Sequence, residues 1–233
     1  MDRIIATTQD GSHTIQLVNT TNTYHSKYGA LQESTHIFIN NGLKYYIAQN
    51  GLKESISVLE MGLGTGLNAL LTAIVAGREN WKIDYTAIEK YPLKGHEYNS
   101  LNHAQVSDEE NAADIYDKIH SSGFGNSITI HDYFELVKLE MDLHLFDAGD
   151  KKFDIIYYDA FAPQFQPDLW TAEVFDKLYA CTAENGCLVT YCSKGDVRRA
   201  LTAAGYRVEK APGPIGKREI LRAIKEEGFS PTK

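Results

Sequence analysis

From Ser55 onward, short apolar runs alternate with stretches whose apolar residues recur at helical spacing. The segments "SISVLE" (55–60), "KIDYTAIE" (82–89), "FELVKLEMD" (134–142), "FDIIYYD" (153–159) and "GCLVTYC" (186–192) have the β-branched and aromatic content of strands. Helices are expected over 67–76, 92–101, 107–123, 167–182 and 195–205. Pro92 opens the second, Ser107 is the expected cap of the third, which has acids in its first turn, and Gly205 ends the last. Strands separated by helices predict βαβ units and a mainly parallel sheet. At the far end "YRVEKA" and "REILRAIK" flank "PGPIGK" and predict a terminal hairpin that adds an antiparallel strand.

The first 50 residues differ. "IIATTQDGSHTIQLV" reads as two short strands around Asp10-Gly11, and "YHSKYGALQESTHIFINNGL" is dense in Tyr, His and Asn. The expected organisation is a small β-rich appendage over 1–50, packed on an α/β domain of Rossmann-like type over 51–233. A chain of 233 residues with 43% hydrophobic and 23% charged residues fits such a globular unit. No apolar run is long enough to span a membrane, and the first residues lack the apolar region of a secretory signal. Three scattered cysteines, with no CxxC pair, fit a reducing cytoplasm and argue against a structural zinc site. No metal is expected.

The net charge is −8, which by itself argues against a nucleic-acid partner. The charge is unevenly spread, however. From Cys187 to Lys225 nine Lys and Arg face three Asp and Glu, a local +6, which leaves −14 on the rest (−8 − 6). Such asymmetry fits either a basic binding face on an acidic body or a solvated helix face.

Candidate chemistry begins at "VLEMGLGTGLNALL". A loop after the first strand of a parallel sheet lies at its carboxyl edge, where ligands bind. Gly62, Gly64 and Gly66 let the backbone turn sharply and let a nucleotide-type cofactor approach it, with Thr65 between them. The dinucleotide fingerprint GxGxxG is not met, since Asn68 stands where its last glycine belongs. Glu60 repels a pyrophosphate but suits a sulfonium cofactor with a cationic amino group, so S-adenosylmethionine fits better than NAD. Glu89, about 23 residues beyond the loop, is placed to accept hydrogen bonds from ribose hydroxyls. Asp142 is the first choice to border the adenine, with Asp132 as its competitor. The strand "FDIIYY" then delivers Asp159 to the same edge, followed by the tight apolar loop Ala160-Phe161-Ala162-Pro163. A carboxylate in those surroundings needs a donor or a cation, such as a substrate amine. Tyr157, Tyr158, Phe161 and Phe165 offer an apolar wall or stacking surface, although core packing is the commoner fate of the two tyrosines.

These segments resemble, in order, the MnmC-type methyltransferase family: "ALQESTHIFI", "EMGLGTGLNAL", "IEKYPL", "YYDAFAPQFQPDLWT", "SKGDVRRALTAAGY" and "GPIGKREIL", together about residues 30–222. The resemblance implies a class I S-adenosylmethionine-dependent methyltransferase that methylates the primary amine of wobble 5-aminomethyl(-2-thio)uridine in tRNA. It implies that Glu60, Gly62, Gly64, Gly66, Asn68 and Glu89 line the cofactor and that Asp159 faces the amine. Phe161 and Pro163 then border the base, and Lys194, Arg198, Arg199, Lys217, Arg218 and Arg222 track anticodon-stem phosphates. Arg218 has the alternative of pairing internally. Some members are fusions with a flavin-dependent oxidoreductase. This chain carries no second glycine-rich fingerprint and is expected to be methyltransferase only, receiving the aminomethyl group from separate enzymes. "PGPIGKRE" departs from the more aromatic and basic version of the fusions, and "SITIHDYFELVKL" contains an extra segment. Alternatives on the same fold are a small-molecule methyltransferase and an aminopropyltransferase using decarboxylated S-adenosylmethionine; a non-catalytic binding protein is disfavoured by the intact Glu60, Gly64 and Asp159.

Overall fold

The computed structural model describes residues 2–228, so residue 1 and residues 229–233, the outer ends of the two expected domains, lie outside the described residues. Strands β1 (Arg3–Thr7) and β2 (His13–Leu17) form a separate antiparallel hairpin. The main sheet contains β3 (Ile56–Met61), β4 (Ile83–Glu89), β5 (Ser127–His131), β6 (Phe134–Glu140), β7 (Phe153–Tyr158), β8 (Thr182–Thr190), β9 (Arg207–Pro212) and β10 (Glu219–Ile224). Their order is β5-β6-β4-β3-β7-β8-β10-β9. Strands β6, β4, β3, β7 and β8 are mutually parallel, and β10 runs antiparallel to both β8 and β9. The expected Rossmann-like sheet with an antiparallel terminal strand is therefore present. The extra segment of the sequence is β5, an antiparallel edge strand on β6.

Alternation along the central strands splits the core into two layers. Val58, Ile155 and Tyr157 face one layer with helices α3 (Leu67–Glu79) and α6 (Ala112–Ser121). Leu59, Ile156 and Tyr158 face the other with α7 (Ala172–Cys181) and α8 (Gly195–Ala203).

The first layer has a further member that the sequence pattern did not announce. Residues 30–50 form an unbroken helical rod: α1 (Ala30–Ser34), a π-helical stretch (Thr35–Lys44) and α2 (Tyr45–Asn50). Its Ile37, Phe38, Ile39, Leu43 and Tyr46 are buried in the same cluster as Val58 and Tyr157. The expected appendage thus divides: the hairpin is the small β unit, and the helix is part of the main core.

Three helix expectations change. The stretch 167–182 divides into a 3₁₀ turn (Pro167–Trp170) and α7, whose cap Thr171 accepts from Val174 N. Residues 92–101 yield a single turn, α4 (Gly95–Tyr98), closed by Glu97, which accepts from Lys94 N at 2.7 Å and pairs with Arg3 at 3.1 Å. Ser107 ends α5 (His103–Val106) rather than capping α6; Asp108 turns the chain with φ +55°, and Asn111 precedes α6. Among the described residues no helix is long and apolar enough to cross a membrane, and no cluster of His, Cys, Asp and Glu is suited to a metal ion.

Candidate active site

A cleft of about 500 Å³ opens at the carboxyl edge of β3, β4 and β7. Its floor is the glycine loop. Gly62 has φ +89°, and a Cβ there would lie 3.0 Å from the Asp159 carbonyl oxygen. Gly66, with φ +74°, would place a Cβ 2.7 Å from His120 Nε2, and Gly64 one at 3.2 Å from the Tyr24 ring. The glycines therefore answer first to the protein itself: they let the β3 and β7 loops, an N-terminal aromatic and a histidine of α6 close on one another. Thr65 is buried, and its carbonyl accepts from Tyr116 Oη at 3.0 Å and faces His120 Nε2 at 3.1 Å.

Behind the loop lies an array of acids. Glu60 is fully buried at the end of β3. Asn68, in the first turn of α3, donates from Nδ2 to Glu60 Oε1 at 2.9 Å and to Asp159 Oδ2 at 3.0 Å. One amide thus bridges two carboxyl groups. Burial raises the Glu60 carboxyl well above the usual carboxylate range. Burial, reinforced by the charge of Glu33, pushes Asp159 up to about 7 against the donation from Asn68 and the charge of Lys217. Glu60 Oε2 and Asn68 Oδ1 are buried acceptors without a protein partner. A cationic amine donor would satisfy them.

Glu89, at the end of β4, accepts from Gly64 N at 2.9 Å and Tyr91 N at 2.7 Å, which fixes its carboxylate at the loop and leaves lone pairs for hydroxyl groups. Asp142 lines the cleft beyond β6, pairs with Lys90 at 2.7 Å and caps a short turn by accepting from His144 N. Its competitor Asp132 precedes β6, at the opposite edge of the sheet from the cleft.

The loop after β7 is tied down by side chains. Tyr191 Oη donates to the Ala160 carbonyl at 2.8 Å, Trp170 Nε1 donates to the Phe161 carbonyl at 2.8 Å, and Phe161 N donates to Gln166 Oε1 at 3.1 Å. Phe161 and Phe165 line the cleft, and Tyr24 meets Phe161 edge-on at 5.0 Å. Pro163 is not among the lining residues. Tyr157 and Tyr158 are fully buried and serve the core, not the cleft.

The basic residues separate. Lys217 lines the cleft and pairs with the buried Glu33 at 2.8 Å. Lys194 donates to Gln164 Oε1 at 2.7 Å, and Arg199 pairs with Asp196 on its own helix. Arg222 is consumed inside the sheet by Glu209 and lies over the Tyr45 ring. Arg198 and Arg218 are exposed and make no ion pair among the described residues. Sequence reasoning assigned no role to Tyr24, His25, Glu33 or Tyr191, although all four line the cleft. Glu33 sits inside the quoted "ALQESTHIFI", so a signal was present without a partner to interpret it.

Residues 112–226 match the profile of a family described as S-adenosyl-L-methionine-dependent methyltransferases. The tRNA 5-methylaminomethyl-2-thiouridine biosynthesis bifunctional protein MnmC of Hydrogenovibrio crunogenus is 31% identical over 211 residues, covering 84% of this chain and 30% of that protein. The chain belongs to the MnmC-type methyltransferases. The protein of the same name from Leptospira interrogans is 29% identical over 217 residues, covering 88% of this chain and 33% of that one. This MnmC-type chain therefore spans about a third of the length of the curated relatives it matches. The crystal structure of MnmC2 from Aquifex aeolicus shares the fold, with a TM-score of 0.77, 24% identity, and coverage of 100% of this chain and 73% of that one. The cofactor of this methyltransferase is S-adenosylmethionine, and the unpartnered buried acceptors at Glu60 and Asn68 fit a ligand that carries an ammonium group.

Proposed function

We propose that the chain methylates the primary amine of 5-aminomethyl(-2-thio)uridine at the wobble position of tRNA, giving the 5-methylaminomethyl product. The observation that carries this reading is the Glu60–Asn68–Asp159 array in an aromatic-edged cleft. The printed names of the MnmC relatives support the tRNA substrate. Glu60, Asn68 and the backbone of Gly62, Gly64 and Gly66 hold the methionine part of the cofactor, with Thr65 fixing the loop; Glu89 holds the ribose and Asp142 borders the adenine. Bound S-adenosylmethionine supplies an electrophilic methyl group on a sulfonium.

The chain's own residues prepare the amine. A methyl acceptor must present a lone pair, and a free alkylamine with a pKa of roughly 10.4 is protonated at neutral pH. Passing that proton to an ordinary carboxylate near 3.9 is uphill by about 9 kcal/mol, at 1.36 kcal/mol per pKa unit. A carboxylate near 7 lowers the deficit to about 5 kcal/mol. Asp159 thus takes the amine proton, or holds the N–H so that the lone pair faces the cleft. Phe161 and Phe165 supply an apolar edge for a base taken out of its stack. Arg198, Arg218 and Lys194 offer the exposed positive charge for anticodon-stem phosphates.

The test is mass spectrometry of tRNA nucleosides after incubation with methyl-labelled cofactor. A labelled methyl on aminomethyluridine is expected. An aminopropyl gain from the decarboxylated cofactor, or turnover of small amines without tRNA, overturns the reading.

A further inference from the structure

The charged residues that line the cleft are mainly acids: Glu33, Glu89, Asp142, Asp159 and Asp168, with the fully buried Glu60 behind Asn68. That wall suits the sulfonium and ammonium of the cofactor. It opposes the third charge of the same molecule, the carboxylate of its methionine end. Among the described lining residues lysines stand at two positions, 90 and 217. Lys90 is paired with Asp142 at 2.7 Å beyond β4 and β6, on the side where Glu89 awaits a ribose. Lys217 stands at the other end, with its ammonium 4.0 Å from the centre of the Tyr191 ring, and Tyr191 holds the Ala160 carbonyl next to Asp159.

Lys217 is held in place before any ligand arrives. Glu33 is buried, accepts from Ser26 N at 2.7 Å through one oxygen and meets Lys217 at 2.8 Å through the other. The turn that carries the lysine is fixed by Lys217 N donating to the Pro214 carbonyl at 2.9 Å, and it packs Gly216 against Tyr28. An ammonium has three donors. The contact with Glu33 is an ion pair, and the side chain lines the cleft and is 27% exposed, so donors remain for a ligand.

We propose that Lys217, anchored by Glu33, binds the carboxylate of the methionine end and so selects S-adenosylmethionine over its decarboxylated form. This removes Lys217 from the tRNA-phosphate set. The inference rests on the cofactor assignment and not on the tRNA assignment, and its test contains no tRNA.

Calorimetry is run with S-adenosylmethionine, S-adenosylhomocysteine and decarboxylated S-adenosylmethionine on the wild-type chain, Lys217→Met, Lys217→Arg and the double variant Glu33→Gln/Lys217→Met. The double variant leaves no buried carboxylate without its cation, so it reports even where the single variant is unstable. Loss of one charge-assisted hydrogen bond corresponds to about 10- to 100-fold in affinity. Lys217→Met and the double variant should weaken the two carboxylate-bearing ligands by that factor and leave the decarboxylated ligand within about 3-fold, with Lys217→Arg intermediate. Equal weakening of all three ligands, or an undiminished preference for the carboxylate, overturns the proposal. Failure of every ligand to bind the wild-type chain would instead remove the cofactor assignment on which it stands.

Discussion

Asn68 offers the sharpest test of the chemistry, because one side-chain nitrogen serves both Glu60 and Asp159. Asn68→Leu keeps the branching and approximate volume and removes both N–H donors, along with the unpartnered Oδ1. A hydrogen bond to an ionised acceptor contributes about 1.5–3 kcal/mol. At 1.36 kcal/mol per unit, its loss raises the Asp159 carboxyl by about 1–2 units. In the proposed reaction Asp159 acts ionised, so kcat/KM for an aminomethyluridine substrate should rise with pH through about 7 in the wild-type enzyme. In Asn68→Leu that limb should move to about 8–9, and the rate at pH 7 should fall by about 5- to 50-fold. The assay is methyl transfer to an aminomethyluridine anticodon stem-loop at saturating cofactor between pH 5.5 and 9.5, with thermal melts to confirm folding. A limb that stays near 7 while the rate drops uniformly would refute the role given to the shared amide.

Other consequences are open to simpler measurements. Gly66→Ala forces an L-residue to φ +74° against His120 and should cost at least about 1–2 kcal/mol, lowering Tm by several degrees; an unchanged melt contradicts the packing described for the loop. Burial lowers His25 and His120 to about 4, while their unfolded forms take up protons below about 6.5, so they remove stability as pH falls through that window. Asp159 has the opposite sign, since its folded carboxyl protonates near 7, before the unfolded chain does at about 3.9; Asp159→Asn should therefore steepen the acid-side fall in Tm, and a shallower fall would show that sign to be wrong. Arg198→Glu with Arg218→Glu should weaken tRNA binding and reduce its log–log salt slope by roughly 1.4–1.8, at 0.7–0.9 per phosphate contact, without changing cofactor affinity. A slope that holds between 50 and 300 mM salt moves the tRNA path elsewhere.

The strand pattern made the sheet legible because buried parallel strands are short apolar runs bounded by turn residues, and β7 is buried at every position. The rod over residues 30–50 escaped notice for a physical reason. Its π-helical stretch shifts the phase of the apolar stripe, so Ile37, Phe38 and Ile39 are buried consecutively and no 3.6-residue period survives. At the site, Glu60, Glu89 and Asp159 could be placed because each ends a strand. The glycines were found for a reason that proved incomplete, since the atoms nearest to them belong to Asp159, Tyr24 and His120. The pairing of Lys217 with Glu33 was beyond sequence reach: a charge pair between distant segments carries no periodicity, and a lysine beside an arginine reads as surface.

Strand β10 lies between β8 and β9 although it follows both in the chain. A ribosome therefore releases β8 with one long edge unpaired and β9 with no neighbour to receive it. Until residues 219–224 emerge and slide into the gap, Cys187 to Thr190 offer open backbone donors and acceptors on an apolar strand. This domain is thus most exposed to misassembly after most of its core has been made and before β10 is in place. Lys217 sits just before that closing strand, so the cleft acquires this second lysine as the sheet is sealed.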